Sequence, residues 1–312
     1  MPPPKGWREV GEVVELFGRY TGDPSAAWQE IVDAQQCPFL HKRCYKVRKS
    51  SAEISIGTCT VTHGKVSEPI VICPTRLIDG GQIFADCVDL LLLHEPGNEL
   101  HLIPEVGIPG GTVDFILAST KAGTVVDFVG IELQTMDTTG SVWPTRQRLL
   151  DDLGVTWHDP APVRPKSYGM NWKMTAKTIL MQMHHKAQTF EDLDRKLVLV
   201  IQDNFLDYMK REFTFGHFRQ PAATSDSVHF HAYGLLDDST RLTLTLASQV
   251  STDADGVGRS LELQAEARVE LEVILGTLQS KLSHATRFQR VGDSLPPVVS
   301  NAVPDPDPEF DD

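Results

Sequence analysis

Three stretches with apolar and polar residues in alternation follow one another closely: "ELHLI", "GGTVDFILAST" and "VVDFVGIELQTM". Alternation with period two marks half-buried strands. The turn-like "STKAGT" between the second and third is too short to hold a crossover helix, so those two strands form an antiparallel hairpin. Downstream, "WKMTAKTILMQMHHKA" has helical spacing, "KLVLVIQD" is a continuous apolar run suited to a buried strand, and "VHFHAYGLL" and "RLTLTLA" are two more strands. This order predicts an α/β (α+β) fold, with a mixed central sheet flanked by helices.

Upstream of the hairpin, "GDPSAAWQEIVDAQQ" predicts a helix capped by Asp23 with Pro24 in its first turn. Short strands are expected in "EISIGTCTV" and "EPIVIC", and a helix in "GQIFADCVDLLLL". A charged amphipathic helix is expected from Arg259 to Leu282, followed by a disordered acidic tail. Three regions result: 1–75, helical and cysteine-rich; 76–295, the sheet and its helices; and the tail, 296–312.

Four of the five cysteines, Cys37, Cys44, Cys59 and Cys73, crowd into the turn-rich first region. The chain has no run of about eighteen apolar residues and no apolar signal core at its start, so a cytoplasmic protein is expected. Disulfides are disfavoured there, and four close thiols suit a tetrahedral thiolate site for zinc or iron. Scattered buried thiols are the alternative, because the spacing lacks paired CxxC knuckles. Cys87 reads as a packed thiol.

The second constellation is acidic. Asp114 in "VDFILA" and Glu132 in "IELQT" lie on adjoining strands, where two like charges on one face need a cation between them. With Mg²⁺, such a pair could lower the pKa of a bound water and neutralise charge on a scissile phosphate. Position 134, two beyond the glutamate, is where a nuclease of the D…ExK type carries lysine. Gln134 can orient a water but cannot take its proton. An ordinary hairpin with two polar-face acids is the alternative.

A net charge of −13 argues against an evenly basic nucleic-acid-binding surface. Bases do cluster locally, with Lys42, Arg43, Lys46 and Arg48 around Tyr45, and Arg146, Arg148, Arg164 and Lys166 beyond the glutamate strand. These could contact phosphate, or form a plain solvated surface. His229 and His231 share a strand face, as a metal pair or simply as polar cross-strand neighbours.

"CPF", "GTC" and "VICP", followed by "VDFILA" and "IELQTMDTTGSVWP", resemble the NotI family of type II restriction endonucleases. That family joins a four-cysteine iron site to an ExQ variant of the PD-(D/E)xK nuclease core. The resemblance implies a restriction-endonuclease-like core and Cys37, Cys44, Cys59 and Cys73 as ligands of a structural iron or zinc. It also implies Asp114 and Glu132 as Mg²⁺ ligands, and Gln134 in the lysine position. By its interval to the aspartate, Glu99 matches a family carboxylate, with Glu105 as alternate. The substrate expected is double-stranded DNA, cut at a GC-rich palindrome by a homodimer whose host is protected by a DNA methyltransferase. An inactive metal-ribbon DNA-binding protein, or a less specific repair or phage-processing nuclease, are the rival functions.

Overall fold

The strands read from the alternating pattern assemble into one six-stranded sheet. Its order is Leu242–Thr252, Val228–Asp237, Lys196–Gln202, Thr124–Leu133, Gly111–Lys121, Glu99–Ile108. The last three form an antiparallel meander, the middle three run parallel, and Leu242–Thr252 closes the other edge antiparallel. The central Lys196–Gln202 strand is buried at all seven positions, which its unbroken apolar run foretells for a parallel strand covered on both faces. The computed structural model describes residues 12–64, 66–156, 168–238, 240–262 and 279–280. The chain divides into a unit spanning Met1–Leu263 and a second spanning Gln264–Asp312, and the sheets belong to the first. Among the described residues, no helix is long and apolar enough to cross a membrane.

Helices cover both faces. The long helix Trp172–Asp192 and the following Asp203–Glu212 pack Ile179, Leu180, Met183, Phe190, Phe205 and Met209 onto Leu197, Leu199 and Ile201. On the opposite face, Leu77, Ile83, Cys87 and Leu90 cover Val129, Ile131, Val198 and Val200. Burial of these large apolar side chains contributes roughly 1.5–3 kcal/mol each against the cost of ordering the chain.

A second sheet of four strands, ordered Arg19–Tyr20, Val13–Leu16, Thr58–His63, Val66–Val71, carries part of the cysteine region. It is stitched to the large sheet by Gln202. The Gln202 side chain accepts from Val71 N at 2.8 Å and donates to Pro69 O at 2.6 Å. Met136 N, just beyond the glutamate strand, also donates to Val71 O at 3.0 Å. The cysteine-bearing segment and the end of the glutamate strand are thus backbone neighbours.

Two expectations change. Asp23 caps no helix: it accepts from Ser25 N and Oγ at 2.9 and 2.7 Å, closing a local turn, and the helix begins only at Trp28. "GQIFADCVDLLLL" is two short pieces, Gln82–Ala85 and the tighter turn Val88–Leu90. Ile83, Cys87 and Leu90 still face the sheet, and beyond the second piece Leu93 N donates to Asp127 Oδ2 at 2.8 Å. A short helix spans Ala254–Ser260, capped by Asp253 accepting from Gly256 N. The helix expected from Arg259 lies almost entirely outside the described residues, as does the tail.

Candidate active site

The antiparallel ladder between the aspartate strand, Gly111–Lys121, and the glutamate strand, Thr124–Leu133, ends on the pair Phe115–Ile131. Continuing that register by one residue sets Asp114 against Glu132. The backbone N–H of Leu133 donates to Asp114 Oδ2 at 2.8 Å, which brings the aspartate to the level of the glutamate. Glu132 lies at the carboxyl end of the parallel strands, opposite Leu199, where ligands bind in open α/β sheets. The other face of the glutamate strand, Val129 and Ile131, is fully buried in the second core. Alternation therefore commits Glu132 to the face beneath the long helix.

Burial shapes the electrostatics. The Glu132 carboxyl is pushed up to about 7, chiefly by desolvation; contact with Lys186 acts against this, and the neighbouring Asp114 adds to it. Asp114 is also raised by burial, opposed by its hydrogen bond from Leu133 and by Lys186, and reinforced by Glu105. Two carboxylates that resist ionisation side by side are the environment in which a divalent cation is welcome.

Gln134 continues the strand, its N–H donating to Val200 O at 3.0 Å. Its side-chain Nε2 donates to Thr135 O at 2.6 Å and so is turned along its own strand. The upstream glutamates separate clearly. Glu99 pairs with Thr120, six residues along the ladder from Asp114 and therefore roughly 20 Å away. It is exposed beside His101. Glu105 lies between the pairs Pro104–Phe115 and Val106–Val113, directly across from Asp114, and has a left-handed backbone with φ 53°. The interval to the aspartate favours Glu99; the ladder brings Glu105 to the site instead, and Glu99 stands outside it.

Lys186 was not anticipated. From the buried face of the long helix, its Nζ donates to Glu132 Oε1 at 2.6 Å and to Thr112 O at 2.5 Å. The side chain is 7% exposed. One signal was present in the sequence: a lone charged residue in the stripe Met183, Lys186, Ala187, Phe190, whose other members are all core.

All five cysteines are buried free thiols. Cys73 is held well below the ordinary thiol range, first by its hydrogen bond with Cys59, then by Lys46 and Thr75 acting against burial, while Cys59 is raised. Cys44 is raised by burial and feels both Cys73 and Cys37. The four predicted ligands are therefore within electrostatic reach of one another. Their chemistry, buried sulfur donors on separate short elements, suits a soft metal ion. Among the described residues, however, no three or more His, Cys, Asp or Glu groups are arranged to hold a metal.

The basic residues divide. Lys42 and Arg43 are exposed, Lys46 is half-buried with Nζ on Ile72 O at 2.7 Å, and Arg48 stacks over the Trp143 ring at 4.8 Å. Arg148 is half-buried and donates to Thr145. Arg146 is buried instead of facing outward: Nε donates to Ile56 O at 2.7 Å, Nη1 to Gln147 at 2.6 Å, and the guanidinium stacks on Trp143. It ties helix Trp143–Asp152 to the cysteine region, so the DNA contact expected of it is not available in this arrangement. Arg164 and Lys166 lie outside the described residues. His229 and His231 are buried; His231 contacts Cys87 and Gln249, and His229 contacts the Asp226 carbonyl. That is the polar cross-strand alternative.

No curated protein matches the chain. The family model described as restriction endonuclease NotI matches residues 29–223, a span that takes in all four clustered cysteines, both strand carboxylates, Gln134 and Lys186. The chain thus belongs to the NotI restriction endonuclease family, type II enzymes that hydrolyse DNA.

Proposed function

We propose that the chain cleaves both strands of a GC-rich palindromic DNA site by Mg²⁺-dependent phosphodiester hydrolysis, acting as a homodimer in the cytoplasm alongside a protecting DNA methyltransferase. The observation that carries the chemistry is the cross-strand placement of Asp114 and Glu132, coupled through Leu133 N–H. Asp114 and Glu132 would hold the ion, which when bound lowers the pKa of an attached water and offsets charge on the phosphate. Few protein ligands suffice for Mg²⁺, which keeps several waters. Glu105, across from Asp114, is the third carboxylate in reach. Gln134 can orient water through its amide but cannot accept the proton.

Twofold symmetry in the target is read most simply by a twofold-symmetric protein. Lys42, Arg43, Lys46, Arg48 and Arg148 are the described bases proposed to meet phosphate, with Arg164 and Lys166 joining them from outside the described residues. Cys37, Cys44, Cys59 and Cys73 are proposed to hold a structural iron or zinc, making the region 1–75 a metal-stapled platform beside the core, 76–295. The backbone contacts of Val71 with Gln202 and Met136 support that arrangement.

The test is digestion of a large GC-rich DNA with Mg²⁺ followed by end sequencing. Discrete fragments with one common end sequence are expected. A smear would favour a less specific nuclease, and binding without Mg²⁺-dependent nicking would favour an inactive DNA-binding protein.

A further inference from the structure

The glutamate strand supplies no cation to its own active site, because position 134 is glutamine and its amide nitrogen is engaged by Thr135 O. A cation arrives from elsewhere in the chain. Resting on the reading of Asp114 and Glu132 as Mg²⁺ ligands, we propose that Lys186 is the positioning lysine of this active site, delivered by the long helix to the glutamate that the strand lysine would otherwise attend.

Three observations carry it. Lys186 Nζ lies 2.6 Å from Glu132 Oε1, which fixes one carboxylate oxygen and leaves the other for an ion. The ammonium has three N–H donors, and Glu132 and the Thr112 carbonyl use two, so one remains for a water or a phosphate oxygen. Charge also favours it: Asp114 and Glu132 are held side by side, and the ammonium offsets part of the negative charge they carry when ionised.

The surrounding fold is built to admit this side chain. The turn before the aspartate strand, Gly110–Gly111, has φ of 93° and 137°. A Cβ at Gly110 would meet His185 O at 2.7 Å, and one at Gly111 would meet Lys186 Cε at 3.3 Å. The turn can therefore press against the helix only because it lacks side chains, and Thr189 Oγ1 pins it there by donating to Pro109 O at 2.9 Å. A staple needing only stability would not require a charge: a buried ion pair is often matched or exceeded by well-packed apolar residues. The choice of lysine among Met183, Ala187 and Phe190 points to chemistry at Glu132.

The test uses the full chain. Single-turnover cleavage at saturating Mg²⁺ and DNA binding in Ca²⁺ are measured for wild type, Asp114→Ala, Lys186→Met and Lys186→Met combined with Gln134→Lys. Lys186→Met is expected to lower the cleavage rate by about a hundredfold with binding unchanged. Adding Gln134→Lys, which returns an ammonium to the glutamate from the strand, is expected to restore about tenfold or more. A merely structural role would not respond to that second change. Thermal melting reports folding; if Lys186→Met melts without a cooperative transition, Lys186→Gln takes its place and the same criteria decide. Cleavage by the Lys186 variant within about threefold of wild type, or a loss that Gln134→Lys leaves untouched, overturns the proposal while the nuclease reading stands. A wild-type chain that never cuts, or an Asp114→Ala variant that cuts normally, overturns both.

Discussion

Leu133 N–H and Asp114 Oδ2 are joined at 2.8 Å across the central hairpin. This one bond does two things. It satisfies a backbone donor at the end of a ladder that has run out of strand partners, and it fixes the aspartate carboxylate beside Glu132 without a second protein ligand. The proposed metal site would therefore be built from sheet geometry, with strands on both sides, and its precision would follow from register.

The bond separates two substitutions that remove the same charge. Asp114→Asn keeps an oxygen to accept from Leu133, whereas Asp114→Ala leaves a partly buried N–H unsatisfied, at a cost of about 1–3 kcal/mol. Both variants, and Glu132→Gln, are expected to lose about a thousandfold or more of cleavage, equivalent to the several kcal/mol a metal contributes. Of the two aspartate variants, Asp114→Ala should melt clearly lower. Plasmid cleavage assays paired with calorimetry check this, and normal cutting by any of the three removes the proposed mechanism.

Glu105 and Glu99 give a second comparison. Glu105 faces Asp114 across the ladder, while Glu99 pairs with Thr120 at the far end of the hairpin. Glu105→Gln is expected to lower cleavage by about tenfold or more and to raise the Mg²⁺ concentration needed for half-maximal rate; Glu99→Gln should leave both within about twofold. A Mg²⁺ titration of the two variants decides, and a defect confined to Glu99→Gln would mean that the ladder seen here is not the one used in catalysis.

How far the sequence foretold this site depends on the range over which each signal acts. The pairing of Asp114 with Glu132 could be suggested from sequence because their segments are strand-like and joined by a short turn, which makes the two strands neighbours. The choice between glutamates was not legible, since it depends on pairing with the edge strand and on the left-handed backbone at Glu105. Lys186 is 54 residues from Glu132 and meets it only through packing of helix on sheet; its sole trace is a charge in an apolar stripe. Arg146 sits among exposed-looking bases, yet is buried because Ile56 O and Trp143 receive it. Helical spacing in 82–93 gave the buried face correctly but not the break between Ala85 and Val88, where Asp86 accepts from Tyr233, a partner 147 residues away in the chain.

The four cysteines make a metal prediction with a readout independent of cleavage. Protein purified without chelator is expected to carry about one iron or zinc per chain by elemental analysis, and Cys73→Ser or Cys59→Ser to lose it. Metal removal should lower the melting temperature, because an ion would join Cys37, Cys44, Cys59 and Cys73 across separate short elements. A fully folded, metal-free protein with an unchanged melting temperature would leave the cysteines as packed thiols.

Two residues before Glu132, the strand runs beneath Phe190 with no room to spare. A Cβ on Gly130 would stand 2.3 Å from Phe190 Cζ and 3.0 Å from Leu197 Cδ1, and the Phe190 ring is itself buried. Gly130→Ala is expected to destabilise by about 1–3 kcal/mol through overpacking, and to reduce cleavage as well, because relief of the clash moves the backbone that presents Glu132. Pairing it with Phe190→Leu, which makes space, should recover much of both losses; denaturant melts and cleavage rates of the single and double variants test the coupling.

The histidines on the Val228–Asp237 strand predict a pH dependence of known sign. Burial pushes His231 down to about 4, with the neighbouring His229 adding repulsion, and burial lowers His229 too. Both resist protonation in the folded chain, while an unfolded histidine takes its proton near pH 6.5. The His231 contribution is fully present above that value and is lost as pH falls toward 4, at up to about 1.4 kcal/mol per pH unit, and His229 acts in the same direction. Glu132 works in the opposite sense: raised to about 7, its contribution is present below about pH 4.5 and lost as pH rises through 7. Between pH 6 and pH 5 the two oppose each other, and the raised carboxyls of Asp114 and Asp203 act in the same sense as Glu132, so comparison with a histidine variant isolates the histidine contribution. Lowering the pH from 6 to 5 is thus expected to change the melting temperature less favourably in wild type than in His231→Gln, which keeps a polar group facing Gln249. Melts at fixed ionic strength check this, and equal slopes for the two proteins would show that His231 does not govern the acid limb.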